Sequence, residues 1–397
     1  MGGKMKNETT RAIIYRKNIE HNISEIKKIL KPETKMCVAL KADGYGTSAL
    51  ETARLCEELG VDMLAIARVN EGIELRQEGI KLPLLLLSLC CPEEFEDLFK
   101  YEITPFIFGR DHITLLSEAA DDFVKKGNVF ADGFFNVHLA IDTGMGRIGC
   151  RKEEAAEQAK LIFSSKHLKL SGMGTHFALS DCIEQKGIDY TNQQFENFLE
   201  AVKAVKDAGV NPGICHAGAS AIACSRPDIH CDMVRPGIIV YGYYADQVDK
   251  KYLASKGIDL ELKPVMQFET KVSAIRRFKP GQTVSYGRTW TSKKETDIAV
   301  LPVGYADGLL RRFSPGLKVA INGKEYPVVG RICMDQCMVD IGKDNKEIKC
   351  WDKAVIFGPV GQDGALQDAE TLAALGNTIS YEVMTSISKR VPRIVVD

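Results

Sequence analysis

The stretch MCVALKADGYGTSALETARLCEEL (residues 36–59) contains the unit from which the fold is predicted. It opens with five apolar residues that do not alternate with polar ones, and it closes with ALETARLCEEL, which has the apolar spacing of a helix. An apolar run without alternation is typical of a parallel strand that is buried on both faces. The stretch therefore predicts a strand and a helix joined by a glycine-rich turn that begins at Lys41.

The same unit recurs through the first two thirds of the chain. Seven further apolar runs follow the first: MLAIA, LPLLLLS, ITPFIF, NVHLAI, LSGMGTH, GICHAGA and MVRPGIIV. Stretches with helical spacing separate them, and only SAIACSRPD, after the seventh of the eight runs, is a poor helix. Eight strands with intervening helices over roughly 250 residues predict an α/β fold, a (β/α)8 TIM-type barrel. We assign residues 12–250 to this barrel.

The pattern changes after about Gly242. The later segments are short, rich in β-branched residues and divided by Gly, Pro and Asn-Gly turns: QFETKVSAIRRF, DIAVLPVGYA, LKVAINGKEYPVVGRICMDQCMVDIG and KAVIFGPVG. They predict a mainly antiparallel β domain over residues 251–397, closed by the helical segment AETLAALGNTISYEVMTSIS. We expect residues 1–11 to associate with this domain.

Composition excludes several classes of function. The 397 residues are 45% hydrophobic and 26% charged, which are globular values, and the net charge of -1 argues against nucleic-acid binding and against an anionic membrane surface. The opening MGGKMKNETTR has no apolar core behind it, and the run LPLLLLSLCC is too short to span a bilayer. The twelve cysteines form no paired CxxC knuckles, so no metal site is expected. We therefore predict a cytoplasmic protein.

Polar side chains stand at the predicted carboxyl ends of the strands, where TIM barrels carry their active sites. In chain order they are Lys41 after the first strand, Arg147 after the fifth, His176 at the end of the sixth, Ser220 after the seventh, and Arg235 with Gly237 after the eighth. A lysine in such a place can be an ion-pair partner, a phosphate contact or a nucleophile that forms a Schiff base. For a lone lysine the first two roles are favoured.

The neighbours of Lys41 change that balance. Tyr45, Ser220 and the backbone around Gly237-Ile238 offer O–H and N–H donors after strands one, seven and eight. The loops after the last two strands are a recurrent phosphate site in this fold. A ligand that carries a phosphate and reacts with a lysine suggests pyridoxal 5′-phosphate (PLP). Each donor alone is an ordinary loop residue, and together they favour PLP.

A family resemblance makes this interpretation specific. VALKADGYG resembles the PLP-lysine signature of alanine racemases, and eight further motifs match that family in order: HLAIDTGMGRIG, GTHFA, CHAGASAIA, VRPGIIVYG, VSYGRTW, PVGYADG, GRICMDQ and ISYEV…SKRVPRI. The match runs from about residue 12 to the C-terminus. It implies a PLP-binding barrel joined to a β domain, a small amino-acid substrate, and a head-to-tail homodimer whose active sites lie between the subunits.

The resemblance also implies the catalytic residues. Lys41 would bind PLP covalently and act as one base, handling the proton of the D-enantiomer. Tyr286, in VSYGRTW, would be the opposite base, reaching in from the other subunit to handle the proton of the L-enantiomer, although its spacing alone favours a buried strand tyrosine. Arg235 would hydrogen-bond the pyridine nitrogen; because arginine stays protonated, that nitrogen stays neutral and transamination should be suppressed.

The remaining roles follow from the same motifs. His176 would stack on the cofactor ring, or, as a histidine that ends a strand, be a satisfied core group. The residues that resemble the phosphate cup are Tyr45, Ser220, Ile238 and Tyr381. The residues expected at the substrate are Arg147, which would also contact the cofactor phenolate, and Tyr305 and Met334, which would shape the carboxylate pocket and the access route.

Two positions depart from the family pattern. Many alanine racemases carry a carbamylated lysine seven residues before the arginine of DTGMGR, and this chain has Ala140 there. A buried guanidinium without a partner is costly, so we hypothesise a chloride, another acid or ordered water beside Arg147. Ala219 stands where the family has an asparagine before the phosphate serine. Both changes remove bulk or polarity near the cofactor and admit a broader substrate range.

The leading hypothesis is an alanine racemase that supplies D-alanine for peptidoglycan. The alternative within the family is a serine, lysine or broad-specificity racemase. A PLP-binding homeostasis protein without turnover would resemble the barrel alone, and VSYGRTW disfavours a decarboxylase of the same fold. A barrel hydrolase would want two carboxylates at strand ends, and Asp142 has no evident second acid.

Overall fold

The computed structural model describes residues 8–397. Strand β1 (Arg11–Tyr15) and helix α1 (Arg16–Ile29) come first. Eight parallel strands then close into a barrel: β2 (Lys35–Ala39), β3 (Met63–Ile66), β4 (Leu84–Leu86), β5 (Ile103–Ile107), β6 (Phe135–Ala140), β7 (Leu168–Gly174), β8 (Ile214–Ala219) and β9 (Met233–Arg235). Each overlaps one of the eight predicted apolar runs, with β2, β6 and β7 starting one or two residues earlier, and the predicted TIM-type barrel is confirmed.

Helices follow the barrel strands in alternation. They are α2 (Lys41–Tyr45), α3 (Ala49–Glu58), α4 (Val69–Gln77), α5 (Phe95–Lys100), α6 (Arg110–Lys125), α7 (Ala155–Ser164), α8 (Gln185–Asp207) and α9 (Ser220–Ser225). Short 3-10 helices precede α5 and α7 at Pro92–Glu94 and Lys152–Glu154, and others lie at Pro227–Ile229 and Ile238–Tyr241. The segment SAIACSRPD, predicted to be a poor helix, forms only the six residues of α9 before the 3-10 helix Pro227–Ile229.

After helix α10 (Lys250–Ser255) the chain is mainly β. The strands are β10 (Met266–Lys271), β11 (Ala274–Phe278), β12 (Thr283–Val284), β13 (Trp290–Thr291), β14 (Thr296–Leu301), β15 (Lys318–Ile321), β16 (Lys324–Val329), β17 (Cys337–Gly342), β18 (Lys353–Phe357) and β19 (Arg393–Val396). Two 3-10 helices, Tyr286–Arg288 and Arg311–Phe313, and helices α11 (Ala369–Leu375) and α12 (Ser380–Thr385) complete the chain. This is the mainly antiparallel domain that was predicted.

Eight of these strands and β1 form one sheet in the order β11-β14-β17-β16-β15-β18-β10-β1-β19. Strand β1 pairs antiparallel with β10 and parallel with β19. The predicted barrel range includes residues 12–15, and this detail is wrong, because RAIIY is buried on both faces of the sheet and pairs with β10 and β19. The rest of the division, 16–250 and 251–397, stays a prediction, and residues 1–7 of the expected N-terminal association lie outside the described residues.

The barrel and the sheet meet beside the turn that follows β2. The guanidinium Nε of Arg393, in β19, donates to the carbonyl of Gly46 over 2.9 Å. The ring centroids of Tyr45 and Tyr381, the latter in α12, lie 5.9 Å apart. The last helix and the last strand therefore support the carboxyl end of the first barrel strand. Over residues 8–397, no helix combines the length and the apolar character needed to cross a bilayer.

Candidate active site

A cavity of about 560 Å³ opens at the carboxyl ends of the barrel strands. Eight of the residues singled out in the sequence line it: Lys41, Tyr45, Arg147, His176, Ser220, Arg235, Gly237 and Tyr381. Ile238 is fully buried directly after Gly237, at the start of a 3-10 helix. Ala140 and Ala219, the two departures from the family pattern, also line the cavity. One chain thus brings together the residues predicted around a cofactor.

The glycine-rich turn after Lys41 has left-handed helical geometry. Ala42, Asp43, Gly44 and Tyr45 have φ values of 56°, 54°, 61° and 55°, and Gly46 follows at 81°. L-residues adopt this conformation at a cost of roughly 1–2 kcal/mol each, which glycine avoids. At Gly46 there is a second requirement, since an added Cβ would lie 2.5 Å from the carbonyl oxygen of Met384. The turn reverses the handedness of the chain so that Lys41 and Tyr45 both reach the cavity.

The environment of Lys41 favours its neutral form. Burial lowers the pKa of the Lys41 ammonium, and the positive charges of Arg147 and Arg235 lower it further. The carboxylate of Glu71 acts in the opposite direction and raises this pKa. A desolvated lysine beside other cations is the arrangement that activates an amine as a nucleophile or a base.

Glu71 also fixes the turn, a role that the sequence reasoning missed. Its Oε1 accepts from the backbone N–H of Ala42 over 2.7 Å, and its Oε2 accepts from the N–H groups of Ala67 and Arg68. One carboxylate thereby connects the turn after β2 with the end of β3. The local signal was a glutamate at the third position of helix α4, where such residues commonly bond back to the helix start.

The donors expected at a phosphate group form one cluster. The Ser220 hydroxyl accepts from the N–H of Gly237 over 2.9 Å. A Cβ at Gly237 would come within 2.4 Å of the Tyr45 hydroxyl oxygen, so this position has no room for a side chain. The Tyr45 ring stacks on Tyr241 with a centroid distance of 4.7 Å, and burial raises the pKa of the Tyr45 phenol, which therefore keeps its proton.

Arg235 is the last residue of β9, two residues before Gly237. Its Nη1 donates to His216 Nδ1 over 2.6 Å, and its Nη2 donates to the carbonyls of Thr175 and Ala217 over 2.7 and 3.1 Å. Burial lowers the pKa of Arg235 to about 10, so the group remains a cation at neutral pH. A guanidinium has only donors, and it can therefore donate to a ring nitrogen but cannot accept from one.

A second histidine extends this chain of hydrogen bonds into the barrel. His216 Nε2 lies 2.9 Å from His138 Nδ1, and both rings are buried. Burial lowers the pKa of His138 to about 3 and that of His216 well below its ordinary value. Because Arg235 donates to His216 Nδ1, the proton of the neutral His216 ring is on Nε2 and is donated to His138.

The sequence reasoning did not assign a role to either histidine. The signal for them was the pair of glycines in LSGMGTH: a Cβ at Gly172 would lie 2.5 Å from the His138 ring, and a Cβ at Gly174 would lie 2.4 Å from the His216 ring. Two glycines at alternate positions of β7 therefore make space for two imidazoles inside the barrel, where a row of branched side chains is usual.

His176 and Arg147 lie toward the open side of the cavity. Burial and the charge of Arg235 lower the pKa of His176 to about 3, so this imidazole is neutral. Its Nδ1 is 3.4 Å from Arg235 Nη2. Arg147, which we treated as buried, is exposed, because the residues before it, Gly144 to Gly146, form an open loop. The burial argument for a compensating anion beside Arg147 therefore does not hold in the single chain.

Three predicted site residues lie outside the cavity. Tyr286, Tyr305 and Met334 belong to the β domain, and 69%, 42% and 52% of their surfaces are exposed. Tyr286 is therefore not the buried strand tyrosine that its spacing alone favours; it starts a 3-10 helix between β12 and β13. Within one chain, the structure does not bring these three side chains to Lys41.

Comparison with known proteins agrees with this arrangement. Residues 14–245 match the family model "Alanine racemase, N-terminal domain", and residues 265–395 match "Alanine racemase, C-terminal domain". The chain is 43% identical to the alanine racemase of Treponema denticola over 389 residues, which cover 98% of each chain.

Solved structures are similar over the same length. The alanine racemase of Clostridium difficile 630 superimposes with a TM-score of 0.88 at 38% identity, over 98% of each chain. That of Bacillus anthracis gives a TM-score of 0.88 at 30% identity, over 98% of this chain and 96% of the other. The resemblance read from the ordered motifs is confirmed, and this chain belongs to the alanine racemase family.

Proposed function

We propose that this protein is a PLP-dependent alanine racemase, an isomerase that interconverts L- and D-alanine in the cytoplasm and supplies D-alanine for peptidoglycan. The observation that carries the proposal is the position of Lys41: its amine has a lowered pKa, and it lines the same cavity as the phosphate-type donors and Arg235. Membership of the alanine racemase family implies a cofactor, and the chemistry of this donor set supports PLP.

The residues of the cavity fit PLP. Gly237 leaves space beside the Tyr45 hydroxyl that any side chain would fill, and the backbone N–H of Gly237 donates to the Ser220 hydroxyl. These groups and Tyr381 would hold the phosphate, Lys41 the aldehyde carbon, and Arg235 the pyridine nitrogen. His176 would cover the ring face, and Arg147 would contact the phenolate and the substrate.

When bound, PLP takes up negative charge from the Cα of an attached amino acid and so makes its Cα–H acidic. Arg235 limits this uptake. His216 and the carbonyls of Thr175 and Ala217 hold the guanidinium in one orientation, and its pKa of about 10 keeps it charged. Because arginine cannot pass its proton to the ring nitrogen at neutral pH, proton return to Cα is favoured over transamination.

Racemisation needs two bases on opposite faces of Cα. Lys41, with its lowered pKa, exchanges the proton on the D face. For the L face we assign Tyr286 of a second copy, since its phenol is exposed on the β domain together with Tyr305 and Met334. A head-to-tail homodimer would place this surface over the barrel cavity of the partner and would cover Arg147, which is exposed in the single chain.

Alanine is the substrate that the relatives favour. The Clostridium difficile racemase has been solved in complex with cycloserine, and the Bacillus anthracis racemase with bound L-Ala-P. The small side chains of Ala140 and Ala219 in the cavity wall favour a second candidate, a racemase that also accepts serine or larger amino acids such as lysine. Relative kcat/KM values over an amino-acid panel separate the two candidates.

Two measurements test the proposal. Borohydride reduction should fix the cofactor onto Lys41, which peptide mass spectrometry detects, and the Lys41→Ala variant should show no such adduct. Chiral analysis should show alanine racemisation by the native chain, and Tyr286→Phe should abolish it. Tyr326→Phe is the matched control, because Tyr326 is a half-buried tyrosine in strand β16 of the sheet. An adduct without turnover on any amino acid would indicate a PLP-binding protein instead.

A further inference from the structure

Ser285, the residue before Tyr286, has an unusual backbone conformation. Its φ is 64° and its ψ is -178°, a combination that almost only glycine adopts. Non-glycine residues persist there only where the surrounding structure determines the conformation, and they concentrate at functional sites. The motif VSYGRTW has a glycine two residues later, yet a serine occupies the more restricted position. A side chain is therefore retained at a place where glycine would be less strained.

The surroundings of Ser285 hold it in this conformation. Its hydroxyl donates to the carbonyl oxygen of Arg331 over 2.6 Å. Gly330 lies so close that an added Cβ there would be 2.9 Å from the Ser285 Cβ and 2.8 Å from the carbonyl oxygen of Val284. Val284 itself is buried against the core of the sheet. The backbone directly before Tyr286 is thus held in place.

The partner of the Ser285 hydroxyl belongs to the segment that carries the other exposed site residues. Arg331 is three residues before Met334, and the carbonyl of Cys333, between them, accepts from the N–H of Tyr305 over 3.0 Å. One hydroxyl therefore connects the turn of Tyr286 to the segment that bears Met334 and contacts Tyr305.

We propose that Ser285 is a positioning residue, whose hydroxyl and restricted backbone direct the Tyr286 phenol toward the substrate Cα in the partner's cavity. This inference rests on the proposed function, in which Tyr286 is the base for the L-enantiomer. Tyr286 is exposed in the loop between the two short strands β12 and β13 and has few contacts of its own to orient it, so its direction is set by the backbone before it. A displacement of about 1 Å at a catalytic group can reduce the rate on the order of 100-fold.

Two variants separate the hydroxyl from the backbone. Ser285→Ala removes the hydroxyl and keeps the backbone strain, whereas Ser285→Gly removes both. The matched control is Ser273→Ala, which removes a half-buried serine hydroxyl that donates to the carbonyl of Val300 over 3.0 Å within the sheet. For each dimeric, PLP-loaded variant, the measurements are racemisation in both directions, the Tm, and exchange of the Cα hydrogen of D- and L-alanine in deuterated water.

We expect both Ser285 variants to racemise alanine on the order of 100-fold more slowly in both directions, because every turnover needs both bases. Exchange of the Cα hydrogen should fall by a similar factor with L-alanine and stay near the native rate with D-alanine, where Lys41 acts alone. The Tm should fall for Ser285→Ala and fall less, or rise, for Ser285→Gly. A protein in which Ser285 only supports the fold would show no difference between the two enantiomers.

Native racemisation rates in both variants would overturn the inference, and so would equal slowing of exchange from the two enantiomers. Ser285→Gly serves if Ser285→Ala does not fold, since it carries no backbone strain. The Tyr286→Phe variant distinguishes failure of the base assignment of Tyr286 from failure of the positioning role of Ser285. If Tyr286→Phe racemises alanine at the native rate, the base assignment itself fails; if it is inactive while both Ser285 variants are normal, only the positioning role fails.

Discussion

Replacing Gly237 with alanine should weaken cofactor binding more than the addition of one methyl group suggests. The new Cβ would be 2.4 Å from the Tyr45 hydroxyl oxygen and 3.1 Å from the ring carbon that bears it. An ordinary contact needs about 3.4 Å or more, so the phenol must move by roughly 1 Å. Tyr45 cannot move freely, because its ring stacks on the fully buried Tyr241 and packs near Tyr381.

The expected loss of PLP affinity follows from the proposed hydrogen bond between the Tyr45 hydroxyl and the phosphate, which this movement would break. A hydrogen bond to a charged group contributes about 1.5–3 kcal/mol, and about 1.4 kcal/mol changes a binding constant tenfold. Displacing the Tyr45 hydroxyl from the phosphate that we propose it binds should therefore weaken PLP binding by about 10- to 100-fold. The assay is equilibrium dialysis against PLP, with the bound fraction read from its absorbance, alongside the Tm of the apoprotein.

A double-mutant cycle with Tyr45→Phe tests the reasoning. The phenylalanine lacks the oxygen that the new Cβ would meet, so Gly237→Ala should have little further effect in that background. The double variant should bind PLP about as weakly as the weaker of the two single variants. Losses that simply add, or native affinity in Gly237→Ala, would refute the idea that this glycine acts through the Tyr45 hydroxyl.

Other predictions concern the buried histidines and Lys41. His138→Leu leaves the Nε2–H of His216 without its acceptor and should lower the free energy of unfolding by about 1–3 kcal/mol in urea denaturation. In the native protein the same free energy should fall as the pH drops from 6.5 toward 3, because the unfolded histidines bind protons that the folded state, with the His138 pKa at about 3, excludes. A His138→Leu profile as steep as the native one would count against this cause. For Lys41, the pH of half-maximal PLP capture in stopped flow should lie below the value of about 10.4 for a free lysine side chain, and an unshifted midpoint would contradict the lowered pKa.

The barrel strands could be predicted because burial on both faces leaves a direct record in the sequence: apolar runs without alternation. Strand β1 could not be assigned in this way. RAIIY has the same composition as a barrel strand, and its partners begin at Met266 and Arg393, so only long-range pairing decides to which sheet it belongs. The left-handed turn after Lys41 was signalled by two glycines, but Ala42, Asp43 and Tyr45 adopt the same φ without any local signal.

The candidate site was predictable where a residue stands at a strand end. Lys41, Ser220 and Arg235 were found from that position alone. His138 lies within its strand and was missed, because a histidine in an apolar run looks like an isolated core residue until the glycine opposite it is known. The exposure of Tyr286 could not be read from its motif either, since the surface that we propose to cover it belongs to a second chain.

The central place of β1 in the nine-stranded sheet has a consequence for synthesis on the ribosome. The barrel strands, residues 35–235, are all made before β10 starts at Met266, and β19 is made last. At roughly 5–20 residues per second, β1 waits on the order of 12–50 s for its first partner. During that time a strand with four apolar residues out of five and two unpaired edges precedes the completed barrel strands. The yield of native enzyme in a cell should therefore depend on how well this nascent strand is shielded.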